Sequence, residues 1–358
     1  MKYRVLAINP GSTSTKIAVF DDTEKVFVEV LRHDAQKIAK FGGIIEQFEF
    51  RKQLVLEALQ KNQIELASLN AVVGRGGLVK SVDSGTYEID EQMLTDLKNP
   101  KLWGRIHASN LGAFIAKSIA DDMQISSFIV DPVTVDEFCD FARISGVPET
   151  ERKSLFHALN IRFIAHKVAE KLDKEFADCN MVAVHLGGGV TVAAIKNGKV
   201  IDANNALLGM GPFSPQRAGA LPIGDLLNLA FSGKYSQKQL EKKLAKESGF
   251  IAYLGTDDGL EIENLVKAGD EKATLIHGAM CYQIAKEIGG YATILEGKVD
   301  AIILTGGLIY DPYLLENLKR YIKFIAPIFT YPGEKEMEAL TQGAVRVLKD
   351  LEKSKKYY

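Results

Sequence analysis

Residues 181–203, MVAVHLGGGVTVAAIKNGKVIDA, restrict what this chain can fold into more than any other stretch. Residues 181–185 are apolar and β-branched, as a buried strand requires, and Gly187-Gly188-Gly189 then strip the side chains from three successive positions. Three amide N–H groups in one turn can converge on an anion, and without a Cβ a phosphate can come close. Residues 190–195 return as a strand, Asn197-Gly198 is a type I′ hairpin signal, and residues 199–203 begin a third strand. Taken alone, the segment is either a phosphate hairpin or an ordinary one with a glycine turn.

A second copy bears on that choice. Residues 5–8 form a similar strand, followed by the turn Asn9-Pro10-Gly11-Ser12-Thr13-Ser14, a strand over 16–20 and the turn Asp21-Asp22. An ungapped shift of 176 residues sets Asn9 on His185, Gly11 on Gly187, Ala18 on Ala194 and Asp21-Asp22 on Asn197-Gly198. Such self-similarity predicts two related halves whose polar loops face each other across a cleft.

A chain of 358 residues, 46% hydrophobic, can bury two sizeable cores, which agrees with two halves. A net charge of −2, with no basic stripe or acidic tail, points away from nucleic acid and membrane surfaces and toward a small-molecule partner. Cys139, Cys179 and Cys281 are too scattered for a disulfide framework or a zinc site and read as reduced thiols. The four-residue apolar run before Asn9-Pro10 is too short for a signal peptide, and no run reaches a membrane span, so a cytoplasmic enzyme is expected.

Along the chain, a helical pattern over 34–61 is interrupted by Gly42-Gly43, and residues 70–77 read as a buried strand entering a glycine turn that carries Arg75. The guanidinium fork there suits a phosphoryl or carboxylate oxygen pair, or it pairs with a nearby acid. Asp131 ends the strand 125–131 before Pro132, where open α/β sheets present working groups; alternatively it caps a helix over 135–142. Residues 147–153 are the local candidate for a crossing between domains, and His157 opens the next helix, as a ligand contact or as a satisfied core histidine. The loop ANNALLGMGPFSPQRAGALPIGD holds one charge, Arg217, between its flanking aspartate positions, and its apolar content predicts order. Residues 301–307 read as a strand ending in Gly306-Gly307, where a flat ring can lie on backbone. The last helix, 334–351, opens with Glu334, Glu336 and Glu338, whose acids would complement its dipole.

These segments have a family likeness. INPGSTSTK, HLGGGVTVAAIKNGKVID and DAIILTGGL resemble the two phosphate loops and the adenosine motif of the sugar kinase, heat-shock chaperone and actin superfamily. Within it the chain is similar from end to end to the acetokinase family, on the side of its butyrate and branched-chain fatty acid kinases. The resemblance implies an α/β fold of two duplicated actin-like, ribonuclease H-like βββαβα domains with an active-site cleft between them. The domains would be 1–133, with 340–358 packing back on it, and 134–339. It also implies a reversible, Mg²⁺-dependent transfer between ATP/ADP and a short fatty acid or its acyl phosphate, in a homo-oligomer that is at least a dimer.

Carried onto this sequence, the likeness assigns Asn9, Ser12, Ser14 and Lys16 to the first phosphate loop and His185, Gly187, Gly188 and Gly189 to the second. Arg75 and Arg217 match the active-site arginines, Asp131 the essential aspartate, and His107 and His157 the site histidines. Gly306 and Gly307 match the adenine-side turn, Asp257 a ribose contact, and Glu336 the magnesium-linked acid, with Glu334 its rival. A carboxylate is already a nucleophile at neutral pH, so the barrier lies in bringing two anions together; two arginines and Mg²⁺ would cancel that repulsion, and His157 would donate to an equatorial oxygen. A nucleotide-gated binding protein of the same fold is the rival reading, though it needs no second anion site. Where acetate kinases carry a valine two residues after the first arginine, this chain has Gly77, which would enlarge an acyl pocket walled by Ile106, His107 and Phe156. The alternative is that Gly77 serves only a turn at positive φ.

Overall fold

The computed structural model describes residues 2–358. They fall into two compact units, one built from the chain up to Val135 together with Lys335–Tyr358, the other from Asp136–Glu334. The division therefore lies at 334/335 rather than 339/340, and it gives Glu334 and Glu336 to different units.

In the first unit β1 (Arg4–Pro10), β2 (Ser14–Asp21) and β3 (Glu24–Arg32) form an antiparallel meander. β4 (Ala71–Arg75) then pairs parallel to β1, and β6 (Ser126–Val130) parallel to β4, with β5 (Thr86–Glu88) antiparallel on the edge. The second unit repeats the plan: β7 (Met181–Leu186), β8 (Val190–Lys196) and β9 (Lys199–Ala203) are the meander, and β10 (Ala301–Gly306) and β11 (Ile328–Pro332) join in parallel. Sheet orders are β3-β2-β1-β4-β6-β5 and β9-β8-β7-β10-β11, so the shared core is third, second, first, fourth, then the last parallel strand. The central strands are buried along their whole length, as expected of apolar runs covered on both faces.

The ungapped sequence shift is one residue out beyond the loops. Pro10 pairs with Thr15, whereas Leu186 pairs with Val190, so four residues turn the first hairpin and three the second. Ala7 faces Ala18 and Ala183 faces Ala193, which makes Ala193, not Ala194, the counterpart of Ala18. Likewise Asp22-Thr23, not Asp21-Asp22, lies where Asn197-Gly198 lies, since Asp21 pairs with Glu24 and Lys196 with Lys199. With that correction even the β-bulges coincide, at Val19/Phe20 and Ala194/Ile195.

Three further expectations change. The 34–61 pattern does break, into Ala35–Ile38 and Phe48–Lys61. Residues 132–139 form no helix; only Asp140–Arg143 does, so Asp131 caps nothing there. The last helix covers Glu336–Leu348, after which the chain runs extended: Lys355 pairs with Thr86 and Glu88 of β5, and the Tyr357 hydroxyl donates to Asp96 and accepts from Lys80 N. Cys139, Cys179 and Cys281 form no disulfide, and among the described residues no helix is long and apolar enough to cross a membrane.

Candidate active site

In the first unit the candidate residues gather at the carboxyl edge of the parallel strands, where loops rather than ladder bonds consume the backbone groups. Asn9 ends β1 and lies directly across the ladder from Lys16. Arg75 ends β4, held close to the helix Leu111–Met123 because Gly74 and Gly112 let the two backbones touch. Glu336, in the first turn of the last helix, accepts from the Asn9 amide at 2.6 Å and from an Arg75 Nη. Asn9, Arg75 and Glu336 thus form one cluster, and Arg75 and Glu336 are a largely buried ion pair.

Asp131 follows β6 with φ of 36°, a left-handed conformation costing about 1–3 kcal/mol that the surrounding bonds must hold. Its carboxylate accepts from Gly85 N at 2.8 Å while its own N–H donates to Gly85 O, which fastens the loop before β5. Gly77 has φ of 65°, and a Cβ there would lie 2.6 Å from Asn110 Oδ1 and 2.7 Å from Asn110 Cα. The turn accounts for this glycine, and a valine has no room; the pocket reading of Gly77 is corrected accordingly. His107 caps its own turn through Ser109, Ile106 is half-buried beside it, and Phe156 is a core residue of the second unit at 3% exposure.

The first loop, Gly11 to Ser14, has its hydroxyl side chains outward, with Ser12 exposed and Ser14 half-buried. Behind it stands a residue the sequence reading passed over, Arg51. It is 0% exposed and donates to the carbonyls of Gly11, Ser12 and Ser14, to Thr15 Oγ1 and to Gln47 Oε1. Burial pushes its pKa down to about 10. His33 bonds Thr15 Oγ1 from the other side, and burial first, then the Arg51 charge, drive its pKa to about 4. The signal for Arg51 was present: with Val55, Ala58 and Leu59 it occupies the buried stripe of an amphipathic helix.

In the second unit His185 ends β7, 1% exposed, its Nδ1 3.0 Å from Asn160 Nδ2 and its ring stacked at 4.0 Å on His157. His157 in turn bonds Thr191 Oγ1 at 2.8 Å through Nδ1, at the start of β8. Glu334 approaches His185 Nε2 at 3.7 Å. The Arg217 guanidinium lies on Gly189: a Cβ there would fall 2.0 Å from Nη1, so this glycine exists to admit an arginine. Arg217 also donates to Ala206 O, and its N–H is held by Ser214 Oγ, which itself donates to Gly188 O at 2.6 Å. A Cβ on Gly188 would meet no atom nearer than the Gln216 side chain at 3.5 Å, and Gln216 donates to the exposed Asp257. Gly306, at φ of 103°, presses on the Leu186 carbonyl, while Gly307 is exposed.

The long loop after β9 is ordered by its own bonds. Asn204 mimics a strand, accepting from Val192 N and donating to Val190 O, and Ala220 N returns to Gly211 O. Between this loop and the helix Ile223–Ala230 lies a cavity of about 430 Å³, walled by Leu207, Leu208, Leu221, Leu226 and Leu244. Arg217 is the one charged side chain among its lining residues. No cluster of three or more His, Cys, Asp or Glu able to hold a metal occurs among the described residues.

Residues 149–312 match the model of the acetokinase family, a segment inside the second unit that includes His157, the glycine loop, Arg217 and Gly306. The whole chain resembles solved structures. Acetate kinase of Porphyromonas gingivalis is 20% identical with a TM-score of 0.77, over 98% of this chain and 100% of that one. Acetate kinase of Entamoeba histolytica is 18% identical with a TM-score of 0.76, over 96% and 99%. A propionate kinase from Francisella tularensis is 18% identical with a TM-score of 0.74, over 95% and 98%. The fold is therefore that of these kinases, two duplicated actin-like domains.

Proposed function

We propose that the protein is a short-chain fatty acid kinase that moves a phosphoryl group between ATP and a carboxylic acid, butyrate in particular, to give ADP and an acyl phosphate. The observation that carries the reading is the join of an anion site to an apolar one. Arg217 stands beside the bare Gly187–Gly189 backbone and also lines a leucine-walled cavity of about 430 Å³. A carboxylate needs the first and an alkyl tail the second. The acetokinase match over this same segment supports it.

The acid is ionised at neutral pH, so no base is required; charge compensation and alignment are. Arg217 offsets the carboxylate and phosphoryl charge on the side of the second loop. His157, oriented by the bond between its Nδ1 and Thr191 Oγ1, is the donor to a phosphoryl oxygen as charge spreads. In the first unit, Lys16 and the Ser12 and Thr13 amides supply a cation and N–H donors to nucleotide phosphate, the Gly11 amide being spent on Ser14 O, and Arg75 is held by Glu336. Mg²⁺ takes one or two carboxylates with waters and substrate phosphates; Glu336 would hold it by giving up the oxygen that now accepts from Asn9, and the ion would neutralise phosphate charge.

The test is acyl hydroxamate formation with MgATP across acetate, propionate, butyrate and isobutyrate, against ATP turnover without acid. Highest kcat/KM with butyrate is expected, each methylene adding about fourfold in binding. Preference for isobutyrate would move the assignment to a branched-chain acid kinase. ATP turnover indifferent to any acid would overturn it in favour of a nucleotide-gated binding protein.

A further inference from the structure

We infer that Arg51 is a positioning residue for nucleotide binding: buried behind the first glycine loop, it locks the loop carbonyls inward and leaves one uncompensated positive charge beneath a phosphate. Three observations carry this. Its guanidinium takes the carbonyls of Gly11, Ser12 and Ser14 at 2.8–3.1 Å; the Gly11 N–H closes the turn on Ser14 O, and with the carbonyls held inward the Ser12 and Thr13 N–H groups are the ones turned to an anion. Its remaining bonds go to Thr15 Oγ1 and Gln47 Oε1, so every partner is neutral and, among the described residues, no carboxylate pairs with it. It is nevertheless 0% exposed, and burial is the cause of its lowered pKa, with no acid to offset it.

A buried cation without a counter-ion is destabilising for a fold, and a carboxylate in place of Gln47 would relieve it. An anion arriving on the outer side of the loop supplies that missing charge, and only in the bound state. The inference rests on the reading of the loop as a phosphate site and assigns the residue that prepares it.

Gln47→Glu tests it, because the new carboxylate neutralises Arg51 in place without disturbing its fork. A merely structural arginine would then give a more stable protein with unchanged ligand affinity. The inference expects a thermal midpoint no lower than wild type and MgATP affinity by calorimetry weakened about tenfold, the size of one opposing charge several ångströms away. Arg51→Met and Arg51→Lys form a second pair: lysine, which keeps the charge, should retain more MgATP affinity than methionine. Wild-type protein that fails to bind MgATP would remove the phosphate reading itself. Wild-type binding with unchanged affinity in a folded Gln47→Glu variant, or equal affinities for the lysine and methionine variants, would overturn the role of Arg51 alone.

Discussion

The two glycine loops occupy the same place in the same strand order, yet they handle charge in opposite ways. The first turns in four residues rich in hydroxyls, and its cation, Arg51, is sealed behind it among neutral acceptors. The second turns in three glycines, and its cation, Arg217, lies alongside, packed on Gly189 at the edge of an apolar cavity. Their flanking strand ends differ too. Asn9 is held by a carboxylate, Glu336, whereas His185 is stacked on His157 and bonded to Asn160. Duplication has kept what the backbone needs, down to the bulge, and let the charges diverge. Backbone geometry is set by ladder bonds common to both copies, while a side chain answers only to its ligand and neighbours.

The strongest way to break the comparison is an alanine in each loop. Gly189→Ala must displace the Arg217 guanidinium, so its kcat should fall about 10²–10³-fold, as for Arg217→Ala and other losses of a charge-stabilising donor. Gly11→Ala, whose nearest neighbours lie at 3.5 Å, should stay within about fivefold of wild type, since an ordinary contact adds at most about 1 kcal/mol. Steady-state kinetics on both would show it, and equal losses would mean that the loops do not differ as described.

A smaller effect concerns the glycine after Arg75. Gly77→Val should lower stability by about 3 kcal/mol, since a β-branched residue meets both a positive φ and the Asn110 backbone. Chemical denaturation would measure it. A stable variant shifted toward acetate would restore Gly77 to an acyl pocket and undo the assignment of that role to the leucine-walled cavity.

The smallest effect is a pH dependence confined to the first loop. His33 titrates near 4 in the folded protein against an ordinary 6.5, so between those values the unfolded chain binds more protons and stability falls on acidification. It is fully present above 6.5 and lost as pH drops through 4. His33→Asn should flatten the stability profile within that window, read as thermal midpoint against pH. Because His33 also donates its N–H to Thr13 O, acid should raise amide exchange in the first loop before the second. Identical slopes in wild type and variant would remove His33 from this account.

Much of this was written in local sequence. Apolar, β-branched runs marked the central strands, Asn197-Gly198 marked its turn, with φ of 50° and 72°, and the two loops were found by self-similarity. The one-residue error in that match was invisible because a gap in a four-residue loop leaves no trace in composition, while in a ladder it moves every partner. The apolar character of the long loop after β9 predicted order, and it has it.

What only the tertiary structure decided was which distant residues meet. Glu336 reaches Asn9 across 327 positions and Arg75 across 261, and nothing local in EKEMEAL separates it from Glu334, which lies beside His185 instead. Gly77 reads equally well as a pocket wall or a turn until Asn110 is placed against it. Arg51 reads as one charge on a helix until three carbonyls of a loop some 40 residues earlier are found around it. Propensity and pattern act over a few residues and so specify elements. A site is made by packing between elements, and there the deciding quantity is the neighbour that the fold brings, which no single stretch of chain encodes.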